Sequence, residues 1–87
     1  MDRLPAKEVL LIADANPQNV SALKAILADD YEIKVAADAQ QTIRLALAPE
    51  SPEIILISNM MPAADLTSVC RRLQADSTTN SIPIIFI

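Results

Sequence analysis

The chain has 87 residues, which suits one small domain, and 52% of them are apolar, which favours a folded core over disorder. Its formal net charge of −4 argues against direct nucleic-acid binding, because phosphate contacts need clustered basic residues and Arg71-Arg72 is the one adjacent basic pair. The absence of glycine and histidine excludes glycine-rich phosphate loops and histidine-based catalysis or metal ligation.

Cysteine content and hydropathy indicate the cellular compartment expected for the protein. Cys70 is the single cysteine, so no internal disulfide can form, and its place in an apolar helical stripe predicts a buried structural thiol. No signal-peptide pattern opens the sequence and no apolar run approaches membrane-spanning length. We therefore expect a cytoplasmic protein without a membrane partner.

The first half of the chain predicts two strands and two helices. An apolar run at Val9–Ala13 predicts a strand, and Asn16-Pro17 then predicts a helix start with asparagine as the N-cap. This helix extends to about Ala28, with one apolar face made of Val20, Leu23, Ile26 and Leu27. Alternating residues at 31–35 predict a half-exposed strand near a sheet edge. Asp38, with Gln41 in a near capping box, opens a second helix that ends near Pro49.

The second half repeats the strand–helix alternation. Glu53–Ile57 predicts a buried strand, because four branched aliphatic residues in a row suit a strand covered on both faces. Asp65 is the predicted cap of a third helix, whose apolar face comprises Leu66, Val69, Cys70 and Leu73. Ile82–Ile87 is a fourth apolar strand. The order β-α-β-α-β-α-β predicts a parallel sheet with helices on both faces.

Four segments resemble the receiver domains of bacterial response regulators. Val9–Asn19 is similar to that family's Ile-Leu-Ile-Val-Asp-Asp-x-Pro-x-Asn, and Pro52–Pro62 is similar to its Asp-Leu-Ile-Leu-Leu-Asp-x-Met-Met-Pro. Val69–Leu73 and Ile82–Ile87 follow in register. The resemblance implies an α/β flavodoxin-like (CheY-like) fold with strand order 2-1-3-4. It also implies a single, partial domain over residues 1–87 that lacks the family's last helix, strand and helix.

The resemblance further implies a site at the strand ends. In the family, two carboxylates after the first strand hold Mg²⁺, and an aspartate that ends the third strand accepts a phosphoryl group. Asp14 matches the first acidic position, Ala15 stands at the second, and Ser58 stands at the phosphoacceptor. Met60 matches a position that offers its backbone carbonyl to the metal. One carboxylate and one carbonyl make a poor Mg²⁺ site, so we expect no cofactor, no metal site and no catalytic residue.

Ser58 has several interpretations. It is a phosphoserine target, a fixed mimic of one receiver state, or a small polar residue that fills a vacated site; a serine without a neighbouring base is a weak nucleophile. The Met60-Met61 pair is interpreted either as loop and core packing or as a partner-binding patch. An alternative of another class is a small-ligand binder that uses the cleft around Asp14, Asn16, Ser58 and Asn59.

The leading functional prediction is a degenerate receiver domain, not an enzyme, that acts in two-component signalling through protein contacts. Its partner would be a signalling protein, a kinase or an output domain. The apolar last strand also predicts self-association, through Ile84, Ile85, Phe86 and Ile87 or through the face that a further helix would cover. Another possibility is that the chain is the N-terminal piece of a larger regulator.

Overall fold

The computed structural model describes residues 7–87, so residues 1–6 of the predicted domain lie outside the described part. Strands and helices alternate as the sequence predicts, and their bounds are β1 Glu8–Ala13, α1 Pro17–Leu27, β2 Tyr31–Ala36, α2 Ala39–Leu47, β3 Ile54–Ile57, α3 Ala63–Ala75 and β4 Ile84–Phe86. The four strands form one parallel sheet in the order β2-β1-β3-β4. The predicted fold class and strand order are therefore confirmed.

The alternation of side chains along the central strands divides the core into two layers. On one face, Leu11 of β1 and Ile55 and Ile57 of β3 are fully buried against α2 and α3, with Val69 and Leu73 of α3 among them. On the other face, a smaller cluster of Leu10, Ile12 and Leu56 is covered by apolar residues of α1. Successive strand residues point to opposite faces, so β3, and β1 after its exposed first residue Glu8, are apolar at every position.

Two of the three helices begin with a side-chain N-cap, and the third does not. Asn16 caps α1 by accepting the N–H of Gln18 at 2.9 Å, and Asp38 caps α2 by accepting the N–H of Gln41 at 2.8 Å. The predicted cap of α3 is wrong, because α3 begins at Ala63, after Pro62, and has no side-chain cap. Asp65 instead lies in the first turn of α3, where its negative charge is attracted to the partial positive charge of the helix N-terminus.

Two predictions of burial are also corrected. Ile26 was placed on the core face of α1 but is 71% exposed, since Val20, Leu23 and Leu27 already cover the small cluster beneath the helix. Cys70 is only half-buried. Within residues 7–87, no helix combines the length and apolarity needed to cross a membrane.

Candidate functional site

Asp14 and Ser58 lie together at the carboxyl end of the sheet, directly after β1 and β3. The N–H of Asp14 donates to the carbonyl of Ala36 at 2.9 Å, and the N–H of Ser58 donates to the carbonyl of Ala13 at 2.9 Å. These bonds extend the ladders of the parallel sheet by one residue beyond the strands. Both side chains are 5% exposed, and ligands bind beside such strand ends in open α/β sheets.

The carboxylate of Asp14 is held by donors from the start of α1. Its Oδ1 accepts the backbone N–H of Asn16 at 2.9 Å, and its Oδ2 accepts Nδ2 of Asn19 at 3.3 Å. Asn16 thereby connects the end of β1 to α1: its backbone N–H donates to Asp14, and its side chain caps the helix. Hydrogen bonds from N–H groups compensate a buried carboxylate for lost hydration, so both oxygens of Asp14 already have partners.

Ser58 is bonded to the loop that follows it. Its Oγ accepts the N–H of Met60 at 3.1 Å, and its carbonyl accepts the N–H of Met61 at 3.2 Å. This short serine turn fixes the chain between β3 and α3. Met60 is consequently 85% exposed, whereas Met61 packs against the larger core cluster. Of the pair interpreted as loop and core packing, Met61 is thus the core residue and Met60 the exposed loop residue. The alternative of a partner-binding patch stays a prediction.

A cavity of about 270 Å³ opens between these strand ends. It brings together all four predicted site positions, and its walls are formed by Asp14, Ala15, Asn16, Asn19, Ala37, Asp38, Ser58, Met60, Met61, Pro62 and Asp65. Asn59, which the alternative cleft included, lines a neighbouring cavity of about 370 Å³ together with Asp14, Ser58 and Ile87. The sequence prediction missed Asn19, whose signal is its place in the first turn of α1, where a side chain reaches back toward the strand end.

The residues around the cavity of about 270 Å³ do not form the compact set of oxygen ligands that Mg²⁺ prefers. Three carboxylates, from Asp14, Asp38 and Asp65, line the first cavity without a lysine or arginine. Within residues 7–87, however, no three cysteine, aspartate or glutamate side chains converge closely enough to hold a metal ion. The side chain of Ala15 supplies no ligand atom, and that of Ser58 supplies only a neutral hydroxyl. A small, hard cation prefers carboxylate and water oxygens in a compact octahedral set.

The predicted association residues lie at the sheet edge beside α3. Ile85, Phe86 and Ile87 are 48%, 52% and 40% exposed, and Ile84 is half-buried against the larger core cluster. Phe86 also lines an apolar groove of about 480 Å³ with Leu66, Thr67, Cys70 and Arg71 of α3. The structure therefore separates two surfaces: a polar site at the strand ends and an apolar surface along β4.

The chain is similar to known signalling proteins in sequence. No protein-family profile matches it. It is 40% identical over 79 residues to the response regulator PleD of Caulobacter vibrioides, an alignment that covers 90% of this chain and 17% of that protein. The chain thus spans less than a fifth of the length of this relative.

The fold is similar to that of solved receiver domains. The receiver domain of the sensor histidine kinase PA1611 of Pseudomonas aeruginosa, whose structure holds a magnesium ion in its active-site cleft, superposes with a TM-score of 0.82 at 28% identity, over 93% of this chain and 66% of that one. The receiver domain of a histidine kinase from Syntrophus aciditrophicus superposes with a TM-score of 0.78 at 26% identity, over 92% and 61%. Sequence and fold together identify the chain as a member of the CheY-like receiver domains of two-component signalling.

Proposed function

We propose that this receiver domain does not accept a phosphoryl group at the end of β3 and signals through protein contacts instead. The observation that carries the proposal is Ser58, which stands where the receiver resemblance implies an aspartate. Its hydroxyl is buried and accepts the N–H of Met60. The chain contains no histidine that could act as its base. A neutral hydroxyl without a base is a weak nucleophile toward phosphorus.

The surroundings of Ser58 support the same conclusion. Phosphoryl transfer to an aspartate depends on a divalent cation that neutralises charge on the transferring group. With Ala15 beside it, Asp14 is the one carboxylate that directly follows β1, and its two oxygens are engaged by Asn16 and Asn19. We therefore expect weak Mg²⁺ binding, no resident cofactor and no enzymatic activity.

Exposed apolar side chains support a role in protein contacts. Met60 stands at the rim of the cavity with 85% of its surface exposed, and methionine adapts its shape to different partners. Ile85 and Phe86 add a second exposed apolar surface on β4. We propose a kinase, an output domain or another signalling protein as the partner, and we include association between copies of this chain. A cytoplasmic location remains a prediction.

The phosphoryl-transfer part of the proposal is tested by intact mass. The 87-residue chain is incubated with Mg²⁺ and a small phosphodonor such as acetyl phosphate, and we expect the mass to stay unchanged. A stoichiometric adduct that hydroxylamine removes would indicate an acyl phosphate on an aspartate or glutamate, and would overturn the proposal that the domain signals without accepting a phosphoryl group. A hydroxylamine-stable adduct at Ser58, located by peptide mapping, would overturn it equally by establishing a phosphoserine.

Metal binding provides a matched comparison. In the double variant Ala15→Asp/Ser58→Asp, three carboxylates follow β1 and β3, and we expect Mn²⁺ to bind at least about tenfold more tightly than to the natural chain. Calorimetry measures both affinities, and Gln18→Asp, which adds an exposed charge outside the cavity, controls for nonspecific attraction. Equal affinities in the natural chain and the double variant would contradict the poor fit to Mg²⁺.

A second candidate function is binding of a small ligand, which the cavity of about 270 Å³ favours. Its polar wall residues Asp14, Asn16 and Ser58 would orient a ligand while Ala15 and Pro62 supply apolar contact. A ligand that binds the folded state raises the melting temperature by mass action. Thermal shifts with a panel of nucleotides and divalent metals test this function, and a ligand-specific rise that Ser58→Leu abolishes would favour it over the first proposal.

A further inference from the structure

The two neighbouring methionines of the loop between β3 and α3 have different surroundings. Met60 is 85% exposed and belongs to neither core cluster, whereas Met61 is half-buried and packs against the larger cluster. Oxidants reach an exposed thioether sulfur more readily than one that is packed against other side chains. Of the two methionines within residues 7–87, Met60 is therefore the one whose sulfur is open to chemical modification.

The turn at Ser58 maintains this difference between the two side chains. The N–H of Met60 donates to Oγ of Ser58 at 3.1 Å, and the N–H of Met61 donates to the carbonyl of Ser58 at 3.2 Å. Because both amides are held by one buried residue, the two methionine side chains cannot readily exchange places. The cavity of about 270 Å³ that Met60 borders is lined only by residues from Asp14 to Asp65, so it does not depend on β4.

We propose that Met60 is a site of reversible oxidation by peroxides, and that the oxidised chain remains folded. In the reaction with hydrogen peroxide, the sulfur lone pair attacks one peroxide oxygen and the O–O bond breaks. The products are a sulfoxide and one water molecule, so the sulfur is oxidised and the peroxide is reduced. A thiol-dependent methionine sulfoxide reductase reverses the change, because two thiols form a disulfide while the sulfoxide oxygen leaves as water.

Oxidation of Met60 changes the chemistry of the cavity rim. Met60 forms this rim together with Ala15 and Pro62, whose apolar side chains are also exposed. A sulfoxide is polar and accepts hydrogen bonds, so the rim becomes more hydrophilic and an apolar contact with Met60 becomes weaker. The effect on a partner rests on the proposed role of Met60 in protein contacts, whereas the oxidation itself does not.

The fold tolerates an oxygen atom on Met60 but not on Met61. The sulfoxide of Met60 stays hydrated, because the side chain lies outside the core. Met61 packs against the cluster that contains Ile57 and Val69, so an oxygen on its sulfur would bring a polar group into an apolar environment, which destabilises the fold. Cys70 is a third sulfur within residues 7–87, and it is half-buried on α3.

The test follows the 87-residue chain during exposure to hydrogen peroxide. Peptide mapping by tandem mass spectrometry assigns each added oxygen to Met1, Met60, Met61 or Cys70, and we expect Met60 to react at least about fivefold faster than Met61. When Met60 is oxidised and Met61 is not, the melting temperature should stay within about 3 °C of its initial value. The oxidised chain should elute earlier from a hydrophobic-interaction column, and treatment with methionine sulfoxide reductases and dithiothreitol should restore the original elution.

Two leucine variants provide matched controls. Met60→Leu keeps an exposed apolar side chain without the sulfur, so its elution should not respond to peroxide while Met61 is still reduced. Met61→Leu replaces the half-buried methionine by a residue of similar size and should leave the oxidation rate of Met60 unchanged. If Met61→Leu fails to fold, the peptide map of the natural chain decides alone.

Three results would overturn the inference. The first is oxidation of Met61 or Cys70 as fast as that of Met60. The second is loss of the circular-dichroism signal of the folded chain when only Met60 is oxidised. The third is an elution that stays the same after oxidation, or that the reductases do not restore. Phosphoryl transfer is measured without peroxide, so a failure of this inference and a failure of the proposed function are distinguished by separate experiments.

Discussion

At the scale of single residues, Thr79 fastens the loop after α3 to the end of that helix. It is 1% exposed, and its Oγ1 donates to the carbonyl of Leu73 at 2.6 Å. Thr79→Val keeps the shape and leaves that carbonyl without its donor, so we expect a loss of about 1–2 kcal/mol in the free energy of unfolding. Urea denaturation measures the loss. Thr67→Val, on the exposed surface of α3, is the matched control and should change stability by less than about 0.5 kcal/mol.

Asp76 makes stability depend on pH. The hydroxyl of Thr78 donates to its Oδ1 at 2.6 Å and the N–H of Thr78 at 2.8 Å, and these bonds, aided by Arg72, hold the pKa of Asp76 below its ordinary value of 3.8. A lowered folded-state pKa adds stability that is full above the unfolded-state pKa and is lost as the pH falls through the folded-state pKa. The acid side of the stability curve therefore includes a contribution from this loop.

The variant Asp76→Ala tests this contribution. Its melting temperature should lie below that of the natural chain at pH 6, and the difference should shrink as the pH falls below about 4. Thr78→Ala removes the hydroxyl donor and retains the backbone one, so the pKa of Asp76 should rise toward its ordinary value in an NMR titration. A difference in melting temperature that stays constant from pH 6 to pH 3 would contradict the role given to Asp76.

At the scale of elements, the cap of α1 adds to the packing of three partly buried aliphatic residues, since α1 has no fully buried residue. Asn16 accepts the N–H of Gln18 at 2.9 Å and so satisfies a free donor of the first turn. We expect Asn16→Ala to lower the free energy of unfolding by about 1 kcal/mol. Gln18→Ala, an exposed change in the same turn, should cost less than about 0.5 kcal/mol. Equal losses in thermal denaturation would indicate that the cap contributes little.

The sequence predicts the helix starts and buried strands correctly where a single physical preference decides the local structure. Asn16 and Asp38 are correct caps because a short polar side chain there has no competing partner, and the apolar runs of β1 and β3 admit few structures other than a buried strand. Asp65 is not the cap because α3 starts earlier: its N-cap position is Pro62, three residues before Asp65, where the fixed φ of proline suits the start of a helix. The predicted burial of Ile26 is wrong because periodicity identifies the apolar face of a helix but not how much of that face the sheet covers.

The sequence predicted which residues form the candidate site but not the hydrogen bonds between them. The strand-end rule placed Asp14 and Ser58 at one edge, and the resemblance identified what Ala15 and Ser58 replace. The bond from Asn19 to Asp14 depends on the path of the chain between β1 and α1. The carboxylates of Asp38 and Asp65 reach the cavity from the starts of α2 and α3. Such contacts arise from tertiary packing, which periodicity does not describe.

At the scale of the whole molecule, the single sheet joins two cores that lie on opposite faces. Ile57 is buried with α2 and α3, and Ile12 is buried under α1, and both are 0% exposed. Their strands are neighbours that share backbone bonds, so loss of either core removes the support of the other. We therefore expect the domain to unfold in one cooperative transition, as small single domains usually do.

Truncation of either isoleucine tests this coupling. Ile12→Ala and Ile57→Ala should each lower the free energy of unfolding by about 2–5 kcal/mol, a large fraction of the total for a domain of this size. Ile26→Ala removes the same atoms from an exposed site and should cost less than about 0.5 kcal/mol. Native-state hydrogen exchange of the central-strand amides, compared with urea denaturation by circular dichroism, measures both faces. If Ile12→Ala loosened α1 while α3 kept its protection, the two layers would be independent units and the single transition would be refuted.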